Sequence, residues 1–137
     1  KDLYSIYDFQ IKLEENDKVL KDKLYRIIDD YKFETPDFSF LMKELKIDEK
    51  KLKNFLNIEK NNNSIIILDG TLFFSYKNYL TLLDSLKVFY KTNYTMSISD
   101  FKKIANTTRK YAVPLLEYLD KENITYRDGN ERKYNKK

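Results

Sequence analysis

The chain has 137 residues, enough for one ordinary domain or two very small ones, and its 42% hydrophobic content suits a packed core rather than wholesale disorder. It holds neither cysteine nor histidine, which excludes disulfides, thiol nucleophiles, imidazole bases and nearly every zinc site. With only two glycines, Gly70 and Gly129, it has no phosphate-cradling loop, and no apolar run nears the ~18 residues a membrane helix needs. The net charge is +4, and all of it sits late: Thr95 to Lys137 carries ten basic and six acidic residues, while the preceding residues hold sixteen of each. Three of the four arginines, Arg109, Arg127 and Arg132, fall in this last third; Arg26 is the exception. Arginine's planar fork suits phosphates and base edges better than lysine's point charge. The opening residue is lysine, so the expectation is a fragment of a longer protein.

In chain order, Tyr4 to Leu13 alternates at Phe9, Ile11 and Leu13 around Gln10 and Lys12, which predicts a short entry strand. Val19, Leu20, Leu24, Ile27, Ile28 and Tyr31 then recur at helical spacing. Thr35 before Pro36 predicts an N-cap and first helical residue for a short helix through Leu45. Asp48 caps the next helix, with Leu52, Phe55 and Leu56 on its buried face, and the polar run Lys60 to Asn63 ends it. Ile65 to Leu68 and Leu72 to Phe74 flank Asp69-Gly70, a strong hairpin signal.

The plan then starts again. Tyr79, Leu82, Leu83, Leu86, Phe89 and Tyr90 form the apolar stripe of a helix. Ser99 is expected to cap a second helix through Ala105, and Thr107 or Thr108 to open a third that buries Ala112, Leu115, Leu116 and Leu119. Pro114 interrupts its bonding and predicts a kink or an irregular first turn. A second hairpin is expected from Ile124 to Tyr134 around Asp128-Gly129. Three helices and a hairpin, twice over, is the winged helix-turn-helix plan. The fold class is mainly α with small β-hairpins: two tandem winged-helix modules, 1–75 as a spacer or docking module and 76–137 as the binding module. The short junction near Ser75 leaves the modules abutting.

The candidate binding surface joins the start of the third helix (Thr107, Thr108, Arg109, Lys110) to the wing (Tyr126, Arg127, Asp128, Gly129, Arg132, Lys133), with Lys102 and Lys103 extending it. Free amides at a helix start add an anion site, and Tyr111, Tyr126 and Tyr134 offer rings for an unstacked base. The alternative for each is bland: a solvated helix start, an Arg127–Glu131 surface pair, tyrosines packed amphipathically. The first module has no such patch, since its wing is apolar and its third helix mixes Lys50, Lys51 and Lys53 with Asp48 and Glu49.

The stretch Thr107-Thr-Arg-Lys-Tyr-Ala-Val-Pro-Leu-Leu-Glu-Tyr-Leu-Asp120, followed by Ile124-Thr-Tyr-Arg-Asp-Gly-Asn-Glu-Arg132, resembles the last winged helix of the bacterial selenocysteine-specific elongation factor family, SelB. The close likeness covers about the last forty residues; before them it is one of layout only. In that family the helix start carries a Ser-Arg-Lys-Tyr-Ala motif and the wing a Thr-Arg-Arg-x-Gly-Asp-x-Arg motif. Arg109, Lys110, Arg127, Gly129 and Arg132 fall on motif positions, while Thr108, Tyr126 and Asn130 depart from the family's serine, arginine and aspartate. The resemblance implies a non-enzymatic module that binds the messenger hairpin recoding a UGA codon as selenocysteine. It also implies a cytoplasmic, monomeric factor meeting the ribosome, with no membrane partner, whose GTP and magnesium belong to an N-terminal part absent from these residues. Arg109, Lys110 and Arg132 would hold phosphates, and Arg127 with the Asp128-Gly129 turn would face loop bases. The rival readings are a DNA-binding regulator, because this fold often places its third helix in a major groove, and a protein-docking winged helix, because the first wing is apolar.

Overall fold

The computed structural model describes the backbone of residues 3–68 and 72–136, and side chains from residue 16 onward. The chain opens with twenty-nine residues free of glycine and proline, which form one helix, α1 (Leu3–Tyr31). The expected entry strand over Tyr4 to Leu13 is therefore helical. Three alternating residues are too few to set a strand. Ile6, Phe9, Leu13, Leu20, Leu24 and Ile28 keep steps of three, four or seven, so the helical phase runs through the whole segment.

α2 (Phe38–Leu45) starts later than expected, with Asp37 rather than Thr35 at its N-cap. Thr35 serves a different purpose: its hydroxyl donates to the Phe73 carbonyl (3.1 Å) and accepts from the Phe73 amide (3.0 Å). It thereby completes the backbone bonding of a strand edge far along the chain. α3 (Glu49–Asn61) is capped as its sequence implies, with the Lys51 amide donating to the Asp48 carboxylate at 2.8 Å. β1 (Ile65–Leu68) and β2 (Leu72–Ser75) pair antiparallel, Ile65 opposite Ser75 and Leu68 opposite Leu72; the expected Asp69-Gly70 turn lies outside the described residues.

α4 (Tyr76–Thr92) follows without a linker, since Ser75 both ends β2 and caps the helix through the Asn78 amide. α5 (Ile98–Ala105) is capped by Ser97, two residues before the Ser99 cap expected of it. Ser97 and Asp100 form a reciprocal capping box, 3.0 and 3.1 Å, and the acid three residues on selects Ser97 as the cap. α6 (Arg109–Lys121), β3 (Thr125–Asp128) and β4 (Glu131–Tyr134) complete the chain. α6 continues through Pro114, and its first turn is tightened, the Thr108 carbonyl accepting from both Tyr111 (3.2 Å) and Ala112 (2.9 Å).

The two winged helices repeat closely. The left-handed residues Lys46 and Asn63 recur sixty positions later as Asn106 and Asn123. Each module has its own core: Leu24, Ile28, Leu41, Leu52 and Leu56 in the first, Leu82, Leu86, Phe101, Leu115 and Leu119 in the second. The first hairpin belongs to both. Ile65, Ile67 and Phe73 point into the first core, while Ile66, Leu68 and Phe74 pack into the second, because side chains alternate across a strand. Most of the apolar surface of the described wing residues is thus packed within the chain, Ile66, Ile67, Leu68 and Leu72 being half-buried. That weakens the feature on which a protein-docking reading rested.

Phe74 anchors this junction, with Phe33 at 5.3 Å (edge-on), Tyr79 at 6.1 Å and Tyr118 at 6.4 Å between ring centroids. Phe74→Ala is expected to cost about 3–5 kcal/mol of unfolding free energy in urea denaturation. A loss under about 1 kcal/mol would mean the second core does not depend on the first hairpin.

Candidate nucleic-acid interface

The start of α6 is built to stay open. Thr108 occupies the N-cap in an extended conformation (φ −100°, ψ 169°), yet its side chain makes no capping bond. The equivalent cap sixty residues earlier is Asp48, whose carboxylate takes an amide of the first turn of α3, with Glu49 directly after it. One helix start is therefore self-satisfied and acidic, while the other leaves amides for an incoming anion and adds Arg109 and Lys110, both exposed. The Lys110 ammonium lies over the Tyr111 ring, 5.3 Å from its centroid, a cation–π contact. Lys110 and Tyr111 also meet the first module in a groove with Thr35, Phe38 and Leu72. Lys102 and Lys103 lie in the last turn of α5, Lys102 half-buried and Lys103 exposed, where cations also complement the helix dipole.

At the wing, the turn residues are Gly129 and Asn130, one step beyond the Asp128-Gly129 pair expected. Asp128 is the last residue of β3, opposite Glu131. Gly129 has φ +65°, and neither Asp128 nor Asn130 is left-handed, the pattern of a type II′ turn with glycine first. Arg127 is exposed and its Nε donates to the Gly129 carbonyl at 2.9 Å, so the guanidinium is held at the wing tip, with no pairing to Glu131. Tyr126 is exposed as well. Asp128 accepts an ion pair from Lys133 at 2.8 Å, which offsets that lysine's charge.

Arg132 is not on this surface. Its side chain is only 7% exposed, and its Nη2 and Nε donate to one carboxylate oxygen of Asp120 at 3.0 and 3.3 Å. The other oxygen accepts the Thr125 hydroxyl at 2.6 Å. The Arg132 backbone is equally engaged: it exchanges both bonds with Met96, each 2.9 Å, and its carbonyl accepts the Tyr90 hydroxyl at 3.0 Å. Burial pushes the Tyr90 phenol up to about 12, so it remains a donor at neutral pH. The phosphate contact expected of Arg132 is thus replaced by an internal role, tying α4, the segment at Met96, the end of α6 and the wing together. A guanidinium cannot reach a ligand while it is buried on a carboxylate. No local pattern reveals this, because its partner lies twelve residues upstream on a helix; the Thr125–Asp120 contact was likewise out of reach.

Residues 88–134 match the family model described as elongation factor SelB, winged helix. The last module thus resembles the SelB winged helix over those residues. A selenocysteine-specific elongation factor of Desulfomicrobium baculatum is 41% identical over 56 residues, which is 41% of this chain and 9% of that protein. The chain thus spans about a tenth of the length of the curated relative it matches. The mRNA-binding domain of elongation factor SelB from E. coli, solved in complex with SECIS RNA, superposes with a TM-score of 0.71 at 19% identity, over 88% of this chain and 98% of that one. That likeness extends the shared fold to both modules. A crystal structure of a bacterial selenocysteine-specific elongation factor aligns at TM-score 0.47 and 21% identity, over 85% of this chain and 29% of that one. Within the module that matches this model, Thr108, Arg109, Lys110, Lys103, Tyr126, Arg127, Asp128 and Gly129 are exposed, Lys102 is half-buried, and Arg132 is internal.

Arg132→Ala is expected to lower the unfolding free energy by about 2–4 kcal/mol, because it strands a partly buried carboxylate. The double change with Asp120→Ala should cost less than the sum of the two singles. Urea denaturation of the three variants measures both, and a stability loss below about 1 kcal/mol for Arg132→Ala would remove its internal role.

Proposed function

We propose that this chain binds a messenger RNA hairpin, the selenocysteine-insertion element, and performs no chemistry itself. The observation that carries the reading is the open start of α6: an N-cap hydroxyl that does not cap, followed by exposed Arg109 and Lys110, in the module that matches SelB. The E. coli domain of the same fold was solved with SECIS RNA, which supports this choice of nucleic acid. Arg109, Lys110 and the free amides of α6 hold stem or loop phosphates, with Lys103 and Lys102 flanking them. Arg127, Tyr126 and the Asp128-Gly129 segment meet bases exposed in the loop, because single-stranded loops are where RNA sequence is readable. Arg132 acts indirectly, by holding the wing in place.

In the whole factor, hairpin binding recruits selenocysteyl-tRNA to the ribosome at a recoded UGA codon in the cytoplasm, one factor molecule per hairpin. The chain has two glycines and no glycine-rich phosphate loop, so GTP and magnesium would be held outside residues 1–137. Residues 1–75 place the SelB module and lend Leu72 and Phe38 to the flank of its reading helix. The later turns of α6 (Leu115, Leu116, Leu119) are buried, which leaves little of that helix to read a DNA major groove.

Binding of the intact chain to the organism's own recoding hairpin, beside a loop-scrambled hairpin and a duplex DNA, tests this reading. The native loop should be preferred, and affinity should fall steeply with salt as phosphate contacts release counterions. Arg109→Ala and Arg127→Ala should each weaken hairpin binding by about 1–3 kcal/mol, Arg127→Ala also relaxing the loop preference. Equal binding to all three nucleic acids would refute sequence reading, and wild-type affinity in both variants would refute the site.

A further inference from the structure

Behind the wing lies a groove of about 470 Å³, between the end of α4 and the outer ends of β3 and β4. Its walls include Tyr94, Tyr126, Lys133, Tyr134, Asn135 and Lys136. The volume falls within the ~300–1,000 Å³ typical of small-ligand clefts. Four tyrosines and two asparagines among its lining residues give flat aromatic faces beside hydrogen-bonding amides, a chemistry suited to a nucleobase.

The floor of this groove is fixed. Tyr134 stacks on Tyr90 with centroids 5.1 Å apart and planes at 27°, and the Asn135 amide donates to the Ile124 carbonyl at 2.9 Å. The rim is different. Tyr94 is 76% exposed and Tyr126 49% exposed, so neither ring is used by the core. Lys133 stands beside them, its ammonium 4.9 Å from the Tyr94 centroid and 2.8 Å from Asp128. Two large exposed rings held next to a tethered cation lose little freedom when a third flat group joins them. Lys136 is exposed at the same rim and supplies positive charge for a phosphate.

We infer that this groove takes one unstacked nucleotide of the bound RNA, its base stacked on Tyr94 or Tyr126 and its phosphate near Lys136. The inference rests on the hairpin reading and adds a contact distinct from the start of α6. It also gives Tyr126 a role as a ring in place of the guanidinium that the family motif carries there.

Two measurements on the intact chain decide it. Titration with AMP and with UMP, followed by NMR of the tyrosine rings, should shift the Tyr94 and Tyr126 signals, and Tyr94→Ala should abolish the shift at Tyr126. In hairpin binding, Tyr94→Ala should lose about ten-fold in affinity at an unchanged unfolding midpoint, with Tyr94→Phe close to wild type. Unmoved ring signals overturn the groove, and so does wild-type hairpin affinity in a Tyr94→Ala, Tyr126→Ala double variant. If Arg109→Ala still loses affinity in that case, the hairpin reading stands without the groove. If the wild-type chain binds no hairpin yet its tyrosine signals move with AMP, the groove stands and the hairpin reading falls.

Discussion

The two-faced first hairpin is the constraint on which the rest of the structure depends. β1 and β2 are too short to be stable alone, and each face finds its partner in a different module. Phe73 closes the first core and Phe74 the second, so one strand serves as a shared wall. Thr35 fixes that strand from the first module and Ser75 converts its end into the cap of α4. The start of α6 then meets the same hairpin at Leu72, which places the open, basic helix end against a rigid backing.

The second hairpin is held by different means. Its inner face carries Arg132, and a buried ion pair is no more stabilising than a well-packed apolar contact would be. What the pair adds is direction: the Asp120 carboxylate spends one oxygen on Arg132 and the other on Thr125, so β3 and β4 are both referenced to the last turn of α6. The first module has an analogue in Glu59, also buried, which accepts the Tyr25 hydroxyl at 2.6 Å and meets Lys21 at 3.5 Å. Burial, reinforced by Glu59, holds that phenol well above its usual range, so it stays a donor.

Much of this was legible in the sequence, and the failures share a cause. The stripes of α4 and α6, the Asp48 cap and the paired strands of both hairpins follow from local periodicity and turn chemistry, although the second turn falls one residue later than its Asp-Gly signal. The readings that failed needed information from a distance. Phe9, Ile11 and Leu13 looked like a strand only when cut off from the helix that continues past them. Thr35 had the right chemistry for a cap, but a strand edge thirty-eight residues away made better use of it. Ser99 lost to Ser97 because the decisive residue was Asp100, not the serine itself. Arg132 read as a ligand contact because charge implies exposure unless a partner is known. Tyr94 carried no pattern at all, since a lone aromatic in a loop acquires meaning only from its neighbours in space.

The shared wall also bears on which changes in chain length the protein tolerates. A single residue inserted between Leu72 and Phe73 would turn Phe73 and Phe74 to the wrong sides together, and the error would reach both cores at once. The turn at Gly129-Asn130 carries no core residue: a Cβ added to Gly129 meets nothing within 4 Å, although its φ of +65° still favours glycine, and Arg127 reaches back to it. Across related chains the first hairpin should therefore keep a constant length, while the second is free to grow or shrink at its tip and to vary what it touches.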